Sequence, residues 1–230
     1  MEAQASTIRR APMILPAPRW TALIIGAALL LFVTGFNDAL FRAGPPSAVV
    51  GTASASELIR DGVSSPLAPG TVLQGGDEVR VGVDGRATIA IGSGEARLAA
   101  GSTLRIKIVS ADLIALQQLG GRIFHRVAAG DDTTYTVETA SLDWTAHGAA
   151  FDLDRVPSVG GETVTMTAVQ RAVQVSGPNL LAVFDEGRIA VVRLGPADPA
   201  LTTRDARAFE LQDPWFTDAD VLAGPGYPVR

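Results

Sequence analysis

The sequence predicts an all-β domain, a stack of short strands, preceded by a single transmembrane α-helix. Two observations carry this. Residues 20–36, WTALIIGAALLLFVTGF, hold no charge and no proline. From about residue 47 to 195, apolar and polar residues alternate in short runs. Glycine-containing turns separate the runs every 8–12 residues, as in an all-β domain.

As a helix, residues 20–36 reach roughly 25 Å, slightly short of the ~30 Å hydrocarbon core. Nine strongly apolar side chains each favour insertion by ~0.3–0.6 kcal/mol, and no central charge opposes them. Trp20 suits the interface, and Phe41 anchors the far side beyond Asn37 and Asp38. The run has no polar face, unlike a helix on a soluble core. A cleaved signal peptide fits less well, because the apolar region exceeds the usual 7–15 residues and no A-x-A-like site follows. Arg9, Arg10 and Arg19 precede the run, whereas Asp38 and then Arg42 follow it. The positive-inside rule puts the N-terminus in the cytoplasm and the larger part of the chain across the membrane. The expected location is the bacterial inner membrane, single-pass, with a periplasmic C-terminal domain. Ala22 and Gly26 form a small-x-x-x-small pair that lets a neighbouring helix approach closely.

Residues 1–19 read as a short cytoplasmic tail marked by Pro12, Pro16 and Pro18. Residues 20–41 are the anchor, which the Gly44-Pro45-Pro46 breaker ends. The β domain is expected over 47–195. Its strands are read at 77–81, 87–91, 104–108, 134–139, 163–169, 172–175 and 189–192. Gly82 with Asp84-Gly85 signals a hairpin, and Gly92-Ser93-Gly94 a turn. Strict alternation puts Leu104, Ile106 and Ile108 on one face, with Arg105 and Lys107 on the other. Residues 110–119 compete as a helix, since Leu113, Leu116 and Leu119 recur at helical spacing, or form a strand broken at a bend. Gly195 and Pro196 end the strand series. Residues 196–230 form an extension that packs on the domain or on a partner.

Charge excludes some partners. From residue 47 onward there are 22 acidic and 15 basic residues, a net of −7. Nucleic acid is not expected, because it requires clustered lysine and arginine. Lys107 is the only lysine, so no polybasic lipid patch exists, and the bilayer is met through the anchor alone. Absence of cysteine removes thiolate zinc sites and cysteine nucleophiles.

No constellation supports catalysis. His125 and His147 are the only histidines, and a metal site would need both plus Asp143 or Asp152. They are read instead as surface or hydrogen-bonded histidines, His125 sharing a face with Ile123 and Val127 opposite Phe124. Asp152 and Asp154 share a strand face as a carboxylate pair would, and are read as solvated outer-face residues. Asp131-Asp132 reads as a turn. The glycine pairs lack the lysine and the strand–helix context of a phosphate loop, and no G-x-S-x-G elbow is present. No catalytic residue, cofactor or metal is expected. Trp215 and Phe216 either cover an open end of the β-stack or serve as interface anchors together with Ala22, Gly26 and Tyr227.

A series of motifs resembles the FecR domain of bacterial envelope proteins over about residues 49–194. GTVLQGGD at 70–77 is similar to the family's G-x-x-L-x-x-G-D opening. GSGEARL at 92–98 stands where the family has D-G-S-x-x-x-L, with Gly92 for the aspartate. Leu119 and Gly121 resemble a leucine–glycine turn into a strand. YTVET at 135–139 resembles F-x-V-x-T. GAAFDL at 148–153 resembles the core strand G-T-x-F-x-V, with Ala149 for threonine and Leu153 for valine. Residues 166–175 resemble V-x-V-x-E-G-x-V-x-V, matching at Val173 and Val175.

The resemblance implies an all-β, solenoid-like fold, with a sandwich-like stack as the alternative, exported and used for protein contact. The family's founding role is signalling across the membrane to a sigma factor, through a cytoplasmic N-terminal domain. With only residues 1–19 on that side, the expected function is a non-catalytic subunit whose β domain scaffolds a membrane protein complex. A FecR-like envelope signalling regulator is the alternative. An envelope polysaccharide binder is a third, weaker reading, because an aromatic content of 6% gives little platform for stacking sugars.

Overall fold

Alternating apolar and polar residues are realised as fifteen strands in the computed structural model, which describes residues 47–128, 133–158, 160–196 and 199–217. The expected membrane helix with Ala22 and Gly26, the tail 1–19, Asp131-Asp132 and Tyr227 lie outside the described residues. Among the described residues no helix is long and apolar enough to cross a membrane. The helices there are two four-residue turns, α1 (Ala208–Leu211) and α2 (Pro214–Thr217).

Three long strands organise the sheet: β1 (Ala48–Arg60), β4 (Glu78–Ile91) and β7 (Leu113–Arg126). β1 pairs antiparallel with β4 and with the short β2 (Val63–Pro66) and β3 (Val72–Leu73). The first part of β4 pairs with β6 (Thr103–Val109), and its last part with β5 (Gly94–Leu98). β7 divides likewise, its first half pairing with β6 and its second with β5. Two branches leave β7. One runs through β8 (Thr134–Thr139), β9 (Leu142–Ala146) and β12 (Val173–Gly177) to β13 (Leu180–Phe184). The other runs through β10 (Ala150–Ser158), β11 (Gly161–Gln170) and β14 (Arg188–Leu194) to β15 (Ala200–Asp205). The β7–β8 pairing is parallel and the other described pairings are antiparallel, whereas coils stacked as a solenoid would pair in parallel.

The inner faces of both branches enclose one apolar core. Val79, Ile89, Leu104, Leu116, Ile123, Val137, Trp144, Phe151, Met166 and Val192 are all buried in it. Trp144 takes its indole N–H into that core by donating to Thr139 Oγ1 at 2.8 Å, which satisfies the one polar atom of the ring.

Three sequence expectations change here, and the open choice at residues 110–119 is decided. The Gly82/Asp84-Gly85 signal does not make a hairpin. β4 runs straight through it, and residues 82–85 bulge opposite Ala55 of β1. A Cβ at Gly82 would lie 2.9 Å from Ala55 O, and one at Gly85 2.6 Å from Ser54 O. These glycines admit the close approach of β1 rather than a reversal. Residues 113–119 belong to a strand, in which Ile114, Leu116 and Gln118 point inward. Ile108 leaves the face of Leu104 and Ile106 because a register shift falls between Ile106 and Ile108, and it is 47% exposed. Lastly, β15 adds a strand after the Gly195-Pro196 break, pairing along β14 from Arg188 to Arg193.

Candidate functional site

Cross-strand register builds a row on the outer face of the second branch. Arg97 of β5 stands opposite Phe124 of β7, and Phe124 stands opposite Asp152 of β10. The flanking rows place Glu95 opposite Arg126, and Arg122 opposite Asp154. Alternation along β7 therefore displays Arg122, Phe124 and Arg126 outward, while Ile123 and His125 turn into the core.

Residues 213–216 close over this row. Asp213 makes one tight turn, its carboxylate accepting the Trp215 backbone N–H at 3.0 Å and its carbonyl the Phe216 N–H at 2.9 Å. The Trp215 indole then donates to Asp152 Oδ1 at 2.9 Å. Arg122 donates to Asp152 Oδ2 at 2.7 Å and to Asp213 Oδ2 at 3.1 Å. Arg97 gives Nε to Glu95 at 2.7 Å and Nη1 to the Trp215 carbonyl at 3.1 Å. The Phe216 ring packs 5.5 Å from Phe124. The guanidinium of Arg122 sits 5.7 Å from the Trp215 ring centroid and 5.5 Å from that of Phe216. Arg97 and Arg126 lie over Phe124 at 5.3 and 5.6 Å. Such cation–π contacts strengthen as water is excluded.

This corrects the solvated-aspartate expectation. Asp152 is 5% exposed, because a segment some sixty residues later in the chain covers its face. Burial pushes its carboxyl up to about 6, against the opposing pull of Arg122 and of the Trp215 N–H. Burial also works against the Arg122 charge, but Asp152 and Asp213 more than offset it and hold the guanidinium above its ordinary value.

On the inner side of the same strands lies a second polar group. His125 is buried, its Nδ1 2.9 Å from the Tyr135 hydroxyl and its ring stacked 5.1 Å from Phe151. Burial lowers its pKa to about 3, so the ring is neutral. Its Nε2 has no hydrogen-bond partner among the described residues. Tyr135 and Phe151 are the aromatics of the YTVET and GAAFDL motifs, and His125 lies between the two strands that carry them.

The two histidines and the carboxylates that a metal site would need are not brought together. His125 faces the core, Asp152 faces outward under Trp215, and His147 and Asp143 are exposed on other parts of the chain. Among the described residues no three histidine, aspartate or glutamate side chains are placed to hold a metal. Trp215 and Phe216 do come together with one another and with Asp152. Arg97, Arg122 and Phe124 were not singled out from sequence. Their only local signal is the alternation Arg122-x-Phe124-x-Arg126, and the covering partner lies 91 to 118 residues away. Away from this face, β13 ends the first branch with Leu181 74% and Val183 61% exposed.

No family model matches the sequence, and no curated protein sequence matches it. Two crystal structures, both described as of a "putative anti-sigma factor" from Parabacteroides distasonis ATCC 8503, share the fold. They align at TM-score 0.50 each, with 16% and 15% identity, over 59% of this chain. The chain spans 62% of the length of those structures.

Proposed function

We propose that the chain is a FecR-like envelope signalling regulator of the anti-sigma type. Its β domain binds a protein partner outside the cytoplasm, and the apolar run at 20–36 anchors it in the inner membrane. The observation that carries this reading is the fold held in common with the structures described as an anti-sigma factor. The motif series over residues 49–194 and the all-β domain agree with it. The domain acts by protein contact, without a cofactor and without catalysis.

Deletion of the gene, followed by whole-transcriptome measurement, tests this. The expected outcome is a coordinated change in genes sharing one alternative-sigma promoter class. Purification of the full chain in mild detergent should recover that sigma factor. An unchanged transcriptome, together with stable migration in a large membrane complex, would instead assign the chain to the scaffold role.

A further inference from the structure

The face covered by residues 213–216 has the make-up of a peptide-recognition site. Its floor is the register-locked row Arg97, Phe124 and Asp152 on β5, β7 and β10, with Arg122 and Arg126 beside it. The covering segment adds no strand to the sheet. It is held by three side chains and one carbonyl: the Asp213 carboxylate on Arg122, the Trp215 indole on Asp152, the Phe216 ring on Phe124, and the Trp215 carbonyl on Arg97. The chain leading to it is poorly packed, with residues 207–209 exposed and Phe209 65% exposed. Arg97 also keeps a donor in reserve. Its side chain is 3% exposed, yet Nη2 has no acceptor among the described residues. A buried guanidinium N–H without an acceptor is costly, and a ligand offering one more oxygen would be favoured there. On the floor Arg97 pairs with Glu95 and Arg122 with Asp152, and Asp213 of the covering segment gives Arg122 a second carboxylate.

We propose that this face is a docking site for a segment of a protein partner, held in cis by residues 213–216. The ligand carries the same chemistry, a carboxylate two residues ahead of a tryptophan with a second aromatic following. This rests on the regulator reading and deepens it by naming where the partner engages. The strap and the partner segment compete, so partner binding releases the C-terminal segment. A strap on a short tether competes at an effective concentration of order millimolar, which sets how strongly a partner must bind to displace it.

The test uses the full chain in detergent micelles and a labelled synthetic peptide of residues 207–217, read by fluorescence anisotropy. The Trp215→Ala/Phe216→Ala chain should bind the peptide at least about tenfold more tightly than the unaltered chain, whose own strap competes. Adding Arg122→Glu, or replacing the tryptophan in the peptide by alanine, should abolish binding. If the double variant fails to melt cooperatively, Trp215→Phe/Phe216→Leu keeps an apolar cover while losing the indole hydrogen bond, and a smaller gain in the same direction is expected. Equal affinity of a folded variant and the unaltered chain, or no binding to either, overturns the proposal. Loss of peptide binding with a retained sigma-dependent response removes this site and leaves the regulator reading. Peptide binding without that response does the reverse.

Discussion

His125 Nδ1 lies 2.9 Å from the Tyr135 hydroxyl inside the core, joining the second half of β7 to β8 of the other branch. The histidine is neutral in the folded protein, with its pKa lowered by burial to about 3, and it regains an ordinary value of about 6.5 on unfolding. Between those values the unfolded chain binds the extra proton. The histidine's contribution is therefore complete above pH 6.5 and is lost as pH falls, at up to about 1.4 kcal/mol per pH unit. Urea melts of His125→Phe should lose this acid sensitivity, at a cost at neutral pH from the lost His125–Tyr135 hydrogen bond. An acid limb unchanged from the parent would refute the assignment.

Asp152 works in the opposite direction. Its carboxyl sits at about 6 when folded and near 3.8 when unfolded, so the folded state holds a proton that the unfolded state has released. Its contribution is fully present below pH 3.8 and is lost as pH rises through 6, by about 3 kcal/mol at most. Asp152→Asn keeps an acceptor for the Trp215 indole and should remove this slope. The difference between parent and variant melts from pH 4 to 7 isolates it from His125. No difference in slope would mean that Asp152 is ionised throughout.

Asp77, the closing aspartate of the GTVLQGGD motif, is 2% exposed and does two jobs. It accepts Arg60 Nε and Nη2 at 2.8 and 2.6 Å, and the Gln74 backbone N–H at 2.7 Å. The Arg60 hydrogen bond is the main cause holding its pKa below the ordinary carboxylate range. The motif thus ties the 74–77 turn to the end of β1. Asp77→Ala should destabilise by about 2–4 kcal/mol, because Arg60 and a turn N–H lose their acceptor together. Arg60→Ala should cost less, its guanidinium being partly exposed. Equal melts of Asp77→Ala and the parent would sink this account.

Gly121 and Gly101 separate steric from backbone effects. Both have positive φ, 76° and 75°. A Cβ at Gly121 would lie 2.6 Å from Ser102 Cα and 2.9 Å from its backbone N, whereas one at Gly101 meets nothing within 4 Å. Gly101→Ala should therefore cost about 1 kcal/mol from the left-handed backbone alone. Gly121→Ala should cost about 2–4 kcal/mol, as strands β6 and β7 must part. Comparable losses for the two would show that the Ser102 contact relaxes freely.

Local patterns carried far into this fold where one face of a strand meets the core. The 134–139 alternation is β8 as read, with Tyr135 and Val137 inward, and Leu104 and Ile106 are buried as their spacing demands. Local reading failed where a second strand decides the outcome. The glycines at 82 and 85 signal a turn in isolation, but their meaning is the carbonyls of β1 lying against them. The leucines at 113, 116 and 119 suit either period until β6 and β8 pair with that stretch. Ile108 alternates correctly and still leaves the core, since a bulge is a property of two paired strands.

An all-β domain, its overall acidity, and the separation of Trp215 and Phe216 from the strand series are legible in the sequence alone. Those properties are written in composition and in period-2 spacing, which act over a few residues. The burial of Asp152, the flanking of the aromatics by Arg97 and Arg122, and the indole bond onto that aspartate arise from long-range packing. Each of these depends on which distant segment covers which strand face. Alternation specifies that a face is outward, but not what packs upon it.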